Sequence, residues 1–85
     1  MIRKFTLGGL DWTVKESPGL DALGLCDPES QIIYIKSGQN DQCANLTFFH
    51  ELIHAMLFTI GEVQHDEKFV EAMAHTLFQF TKTAK

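Results

Sequence analysis

The chain predicts an α+β fold: a small N-terminal antiparallel or mixed β-sheet followed by an antiparallel helical hairpin. Three observations carry that expectation. Apolar and polar residues alternate with period two through the first third of the chain. Turn-forming clusters interrupt that alternation at strand-length intervals. Beyond residue 40 the apolar spacing changes to that of amphipathic helices.

The elements follow in order. Phe5 and Leu7, then Leu10, Trp12 and Val14, alternate with polar neighbours on either side of Gly8-Gly9. A glycine pair is free to take the positive φ angles of a tight hairpin turn. Ser17-Pro18-Gly19 ends the second strand. A further pair is expected from Ala22 to Cys26 and from Gln31 to Lys36, joined through Asp27-Pro28-Glu29-Ser30, whose turn chemistry is strong. Ile32 to Ile35 is the most strand-like run, and its edge is a place where an extended peptide could pair, with Tyr34 beside the cleft. Asn40 or Asp41 then caps a helix running to about Ile60, and Gly61 stops it. Phe48, Phe49, Leu52, Ile53, Met56 and Ile60 are its expected core residues. A second helix runs from near Asp66 to about Phe80, with Phe69, Met73, Leu77 and Phe80 as its core-facing stripe and a frayed tail from Thr81.

Composition narrows the function. Eighty-five residues make one domain, residues 1–85, near the lower limit for a single core, so a bound metal would contribute to folding as well as chemistry. The net charge of −4, with no basic stripe, argues against a nucleic-acid partner. The long apolar stretch from Leu46 to Ile60 is interrupted by His50, Glu51 and His54, so no membrane span is expected. Arg3 and Lys4 precede no apolar signal core, and the expected compartment is the cytoplasm. Cys26 and Cys43 lack CxxC spacing and are expected to be reduced.

The chemistry-bearing motif is His50-Glu51-Leu52-Ile53-His54, an HExxH sequence on the first helix. Residues four apart share a helix face, so both imidazoles can grip one ion, with Glu51 placed to take a proton from a metal-activated water. A catalytic zinc (Zn2+) site needs a third protein ligand and one open position. The metzincin continuation is excluded, because Leu57 and Ile60 stand where it needs Gly and His. The remaining donors are His65, Glu67, Glu71 and His75. In a hairpin turning near residues 61 to 65, His54 lies about six residues, roughly 9 Å, below the end of the first helix. Glu71 lies about five residues, roughly 8 Å, into the second, at the same level. Glu67 shares that face but sits one turn nearer the bend. Glu71 is therefore the expected third ligand and His65 the alternative. His75, level with His50, is expected to support a ligand or to donate to the developing oxyanion.

The segment from His50 to Phe58, preceded by the strand Ile32 to Ile35, resembles the small zincin-like metallopeptidases often encoded by phages and prophages. Phe69-Val70-Glu71-Ala72-Met73-Ala74-His75 is similar to the second helix of that family and of the ImmA/IrrE-like peptidases, where a glutamate followed by Ala completes the site. The resemblance spans about residues 20 to 80 and implies a minimal gluzincin acting in a bacterial host cell. Many relatives have Asn where this chain has His75. His65-Asp66-Glu67-Lys68-Phe69 resembles the HxxxF element of SprT-like peptidases, which would make His65 the ligand, although those proteins have a longer excursion before that histidine.

The expected function is hydrolysis of peptide bonds in a peptide or protein substrate, with Glu51 as general base. The alternative is a non-catalytic zinc-stabilised module that binds another protein, in which His75 or His65 closes the coordination sphere.

Overall fold

The computed structural model describes residues 2–85. Gly8 and Gly9 take φ of +55° and +83°, the paired positive angles of a two-residue hairpin turn. They fold β1 (Lys4–Leu7) back on β2 (Leu10–Ser17), with Leu7 opposite Leu10. A second hairpin joins β3 (Gly24–Asp27) to β4 (Ile32–Lys36). Its turn is held by the Ser30 backbone N–H donating to Asp27 Oδ1 at 3.3 Å, and it closes through Gln31 at φ +57°.

The two hairpins join through β2 and β4, which run parallel, so the four-stranded mixed sheet has the order β1-β2-β4-β3. This corrects one expectation. β4, the most apolar strand, is paired on both sides and offers no edge to a peptide, and Tyr34 sits in the sheet interior. The free edges are β1 and β3.

Trp12 and Val14 of β2 and Ile33 and Ile35 of β4 are buried on one face, consistent with the two-residue period that sends alternate side chains to the same side. Helix α1 (Asp41–Thr59) covers that face, packing on β3 and β4. Phe48 is its largest fully buried side chain, meeting Phe5 and Phe49 edge-on, with Phe5 stacked on Trp12. Truncating a buried phenylalanine of this kind to alanine costs about 3–5 kcal/mol. Asn40 caps the helix by accepting the Cys43 N–H at 2.8 Å. At the other end Gly61, at φ +89°, lets its own N–H reach the Phe58 carbonyl and the Glu62 N–H reach that of Leu57.

Helix α2 (Glu67–Thr83) is capped by Asp66 and runs three residues beyond the expected end. It packs on α1 through a stripe different from the expected one. Val70 and Ala74 are fully buried, with Leu77 and Phe78 beside them, whereas Phe69, Met73 and Phe80 are exposed. Met56 and Ile60 of α1 are likewise exposed rather than core. Small residues face the helix partner because they permit close approach, and the larger ones are displaced to the flank. No helix among the described residues is long and apolar enough to cross a membrane.

Candidate metal centre

Helix α1 carries two kinds of residue on adjoining faces. Thr47, Phe48, Glu51 and Ala55 are buried, while His50 and His54, one turn apart, face the segment that leads into α2. The segment between the helices explains what meets them. After Gly61, residues 62–66 run without helix, bending at Gln64, before α2 begins at Glu67. Extended backbone covers about 3.3 Å per residue against 1.5 Å in a helix, so this short connector carries the chain well back along α1. Glu67 therefore arrives level with the imidazole pair. The expected heights assumed that α2 starts at the top of the hairpin, which is why they favoured Glu71.

His50, His54 and Glu67 form a cluster whose ligating atoms all lie within 4.8 Å of one another. Glu67 Oε1 is 3.1 Å from His54 Nε2, and its Oε2 is 3.4 Å from His50 Nε2. Two ligands bonded to one tetrahedral zinc at about 2.0–2.1 Å are separated by about 3.3 Å. The donor chemistry and these distances both fit a zinc ion.

The other expected donors sit one layer further out. Glu71 Oε2 is 3.2 Å from Nδ1 of His50, the ring nitrogen facing away from the cluster. His75 Nε2 lies 2.9 Å from Glu71 Oε1 and is largely exposed. His65 Nδ1 lies 2.6 Å from Nδ1 of His54, and its Nε2 is 2.6 Å from the Glu62 carbonyl oxygen. Glu71, His75 and His65 are thus all brought to the centre, each behind a histidine or behind its partner. A carboxylate on the outer nitrogen of a metal-binding imidazole fixes its orientation and strengthens it as a ligand.

Glu51 is buried beside the cluster. Burial pushes its carboxyl up to about 7; the His50 ring opposes that shift and the Glu67 carboxylate adds to it. The same burial lowers the tendency of His54 to take up a proton, favouring the neutral ring that a metal requires. The wall opposite Glu51 is Gly24 of β3. A Cβ there would stand 2.6 Å from Thr47 Cγ2 and 3.0 Å from Glu51 Cγ, so glycine is what allows the strand to lie this close. Thr47 donates its hydroxyl to Gln39 Oε1 at 3.0 Å, and Gln39 Nε2 in turn bonds the carbonyls of Leu23 and Lys36.

These groups line an open cleft of about 1020 Å³, bordered by β3 on one side and by Phe58 and Val63 on the other. Its lining includes Glu51, Glu67 and Glu71 but no lysine or arginine. Cys26 and Cys43, both free thiols, also face it. Burial, with the Glu51 and Asp27 carboxylates adding to it, pushes the Cys26 thiol up to about 12, so it is not a nucleophile at neutral pH.

Of the residues that sequence reasoning did not place in the site, Gly24 had a visible signal. A single glycine within a strand pattern marks close backbone approach. Glu67 already stands among the four candidate donors of the sequence, on the face of Glu71 but one turn nearer the bend. Compared with models of protein families and with curated proteins, the chain matches none.

Proposed function

We propose that this chain is a zinc-dependent peptidase in which His50, His54 and Glu67 hold the metal and Glu51 is the general base. The observation that carries the reading is the spacing of Glu67 from the two imidazoles, 3.1 and 3.4 Å, beside a buried carboxyl in an open cleft. Two imidazoles and one carboxylate suit zinc and leave one position for substrate or solvent. When bound, zinc supplies Lewis acidity that polarises a scissile carbonyl and acidifies water.

The protein's own groups do the rest. Glu51, buried beside the proposed ligands, accepts a proton from the attacking water and returns it to the leaving amine. Glu71, through Nδ1 of His50, holds that ring in register. Substrate lies along β3 rather than β4. The Lys36 N–H donates to the Leu23 carbonyl at 2.9 Å, and by the alternation of an antiparallel ladder the outward-facing backbone groups of β3 belong to Gly24 and Cys26. An extended peptide paired there passes beside Glu51.

A non-catalytic zinc module needs a fourth protein donor to close the sphere. His65 and His75 are engaged behind His54 and Glu71 instead, which favours the catalytic reading. The test is zinc content after chelator-free purification, together with cleavage of a mixed peptide library read by mass spectrometry. Glu51→Gln is expected to retain one zinc per chain and lose cleavage. Wild-type protein without zinc, or cleavage surviving in Glu51→Gln, would overturn the proposal.

A further inference from the structure

His65 lies outside the metal cluster, yet its ring makes two of the shortest hydrogen bonds in the molecule. One runs from Nε2 to the Glu62 carbonyl oxygen at 2.6 Å, and the other joins its Nδ1 to Nδ1 of His54 at 2.6 Å. The polarity of this chain can be worked out from its end. A carbonyl oxygen only accepts, so Nε2 of His65 carries a proton. In a neutral imidazole the other nitrogen is then a bare lone pair. Two ring nitrogens at 2.6 Å need a proton between them, and with His65 as the Nε2–H tautomer it comes from His54 Nδ1.

The consequence falls on the far side of the His54 ring. With its proton on Nδ1, His54 presents a bare Nε2, and that atom faces Glu67 Oε1 at 3.1 Å. Two acceptors at this distance repel unless a cation lies between them. The same chain of hydrogen bonds that fixes the tautomer thus turns the His54–Glu67 pair into a demand for positive charge.

We propose that His65 is a positioning residue for the metal centre: anchored by the Glu62 carbonyl, it accepts the Nδ1 proton of His54 and so presents Nε2 of His54 to the ion. The inference rests on the reading of His54 as a metal ligand. Packing holds the relay in place. The His65 ring lies edge to edge with that of His54, 4.9 Å between centroids and 20° between planes, and 4.5 Å from the Phe58 ring. The connector after Gly61 delivers both relay members, Glu62 and His65, so the segment that brings Glu67 to the site also sets the ligand opposite it. The two imidazoles are thereby held differently, His50 by a carboxylate and His54 by another imidazole.

The experiment uses the full chain, labelled with 15N, with and without zinc. NMR of the ring nitrogens is expected to show His54 protonated at Nδ1 in both states, with scalar coupling across the hydrogen bond to an unprotonated Nδ1 of His65. Chelator competition is expected to show zinc affinity about 10–100-fold weaker in His65→Phe, which keeps the ring packing and removes the acceptor. His65→Gln, whose carbonyl can accept from His54 while its amide donates to Glu62, is expected to recover most of that loss. A proton on His54 Nε2 in the metal-free protein, direct ligation of zinc by His65, or wild-type affinity in His65→Phe would each overturn the relay. Wild-type protein that takes up no zinc refutes the peptidase reading, and the spectra of the metal-free chain then still decide the relay. Those spectra need no substitution, so a variant that fails to fold does not remove the test.

Discussion

Replacing Gly24 with alanine tests how tightly β3 is fitted against the helix that bears the motif. The new Cβ would meet Thr47 Cγ2 at 2.6 Å, Glu51 Cγ at 3.0 Å and Glu51 Oε2 at 3.2 Å. Carbon atoms ordinarily rest about 3.5–4.0 Å apart, so the Thr47 methyl must retreat by about 1 Å. It has little freedom to do so, being buried and tied through its hydroxyl to Gln39. Gly24 does not occupy a positive-φ conformation, so the cost is steric and not a backbone penalty. Overpacking of this kind costs about 1–3 kcal/mol. At about 4–8 °C per kcal/mol for a domain of this size, Tm should fall by about 4–24 °C. If the proposed base moves by about 1 Å with the strand, cleavage should drop by about 100-fold. Thr47→Ser removes the closest carbon and keeps the hydroxyl, so it should rescue much of the loss when combined with Gly24→Ala. Thermal melts of the four proteins in a double-mutant cycle, at fixed zinc concentration, measure the coupling. Gly24→Ala melting with the wild type, or a cycle that is strictly additive, would refute the close-contact reasoning.

Three further outcomes are expected. Glu67→Ala should weaken zinc binding by about 100–1000-fold, taking about 3–4 kcal/mol per ligand from the 10–16 kcal/mol of four-ligand sites. Glu71→Ala should lose only about 10–100-fold, and the reverse ranking by chelator competition would make Glu71 the ligand. In the metal-free protein, the raised carboxyl of Glu51 favours its protonated form in the fold, so its contribution is intact below its ordinary value of 4.5 and is lost as pH rises to about 7. Glu51→Gln should therefore match wild type near pH 4 and exceed it by up to about 3 kcal/mol at pH 8, read by urea denaturation at each pH. The lowered protonation of His54 acts with the opposite sign, adding stability as pH rises toward 6.5, and is common to both proteins. A maleimide at pH 7 should label exposed Cys43 and spare Cys26; mass spectrometry of a fast adduct at Cys26 would contradict its burial.

Much of the architecture was legible because it depends on local chemistry. The Gly8-Gly9 hairpin, the Asp27–Ser30 turn, the Asn40 cap and the Gly61 stop each follow from residues close in sequence. Strand order was not legible, since nothing in the pattern of Ile32 to Ile35 says that both its sides are occupied. The buried stripe of α2 was misread because size was taken for burial: Ala74 faces the neighbouring helix and Phe69 does not. For the site, the imidazole pair and its acid were readable from spacing on one helix. Which side chains stand behind them depended on the path of residues 62–66, where no periodic signal exists.

That path has a further implication. Glu67 and Glu71 stand four residues apart, about 6 Å along the axis, on the same stripe of α2. Two residues fewer would shorten the connector by about 6–7 Å and let that rod slide toward the bend by the same amount. Linker length is therefore a ruler: at its present setting it offers the earlier acid to the rings, and a dipeptide deletion would hand the place to the later one. A chain this short can exchange its proposed coordinating group by indel alone, with neither helix changed in sequence.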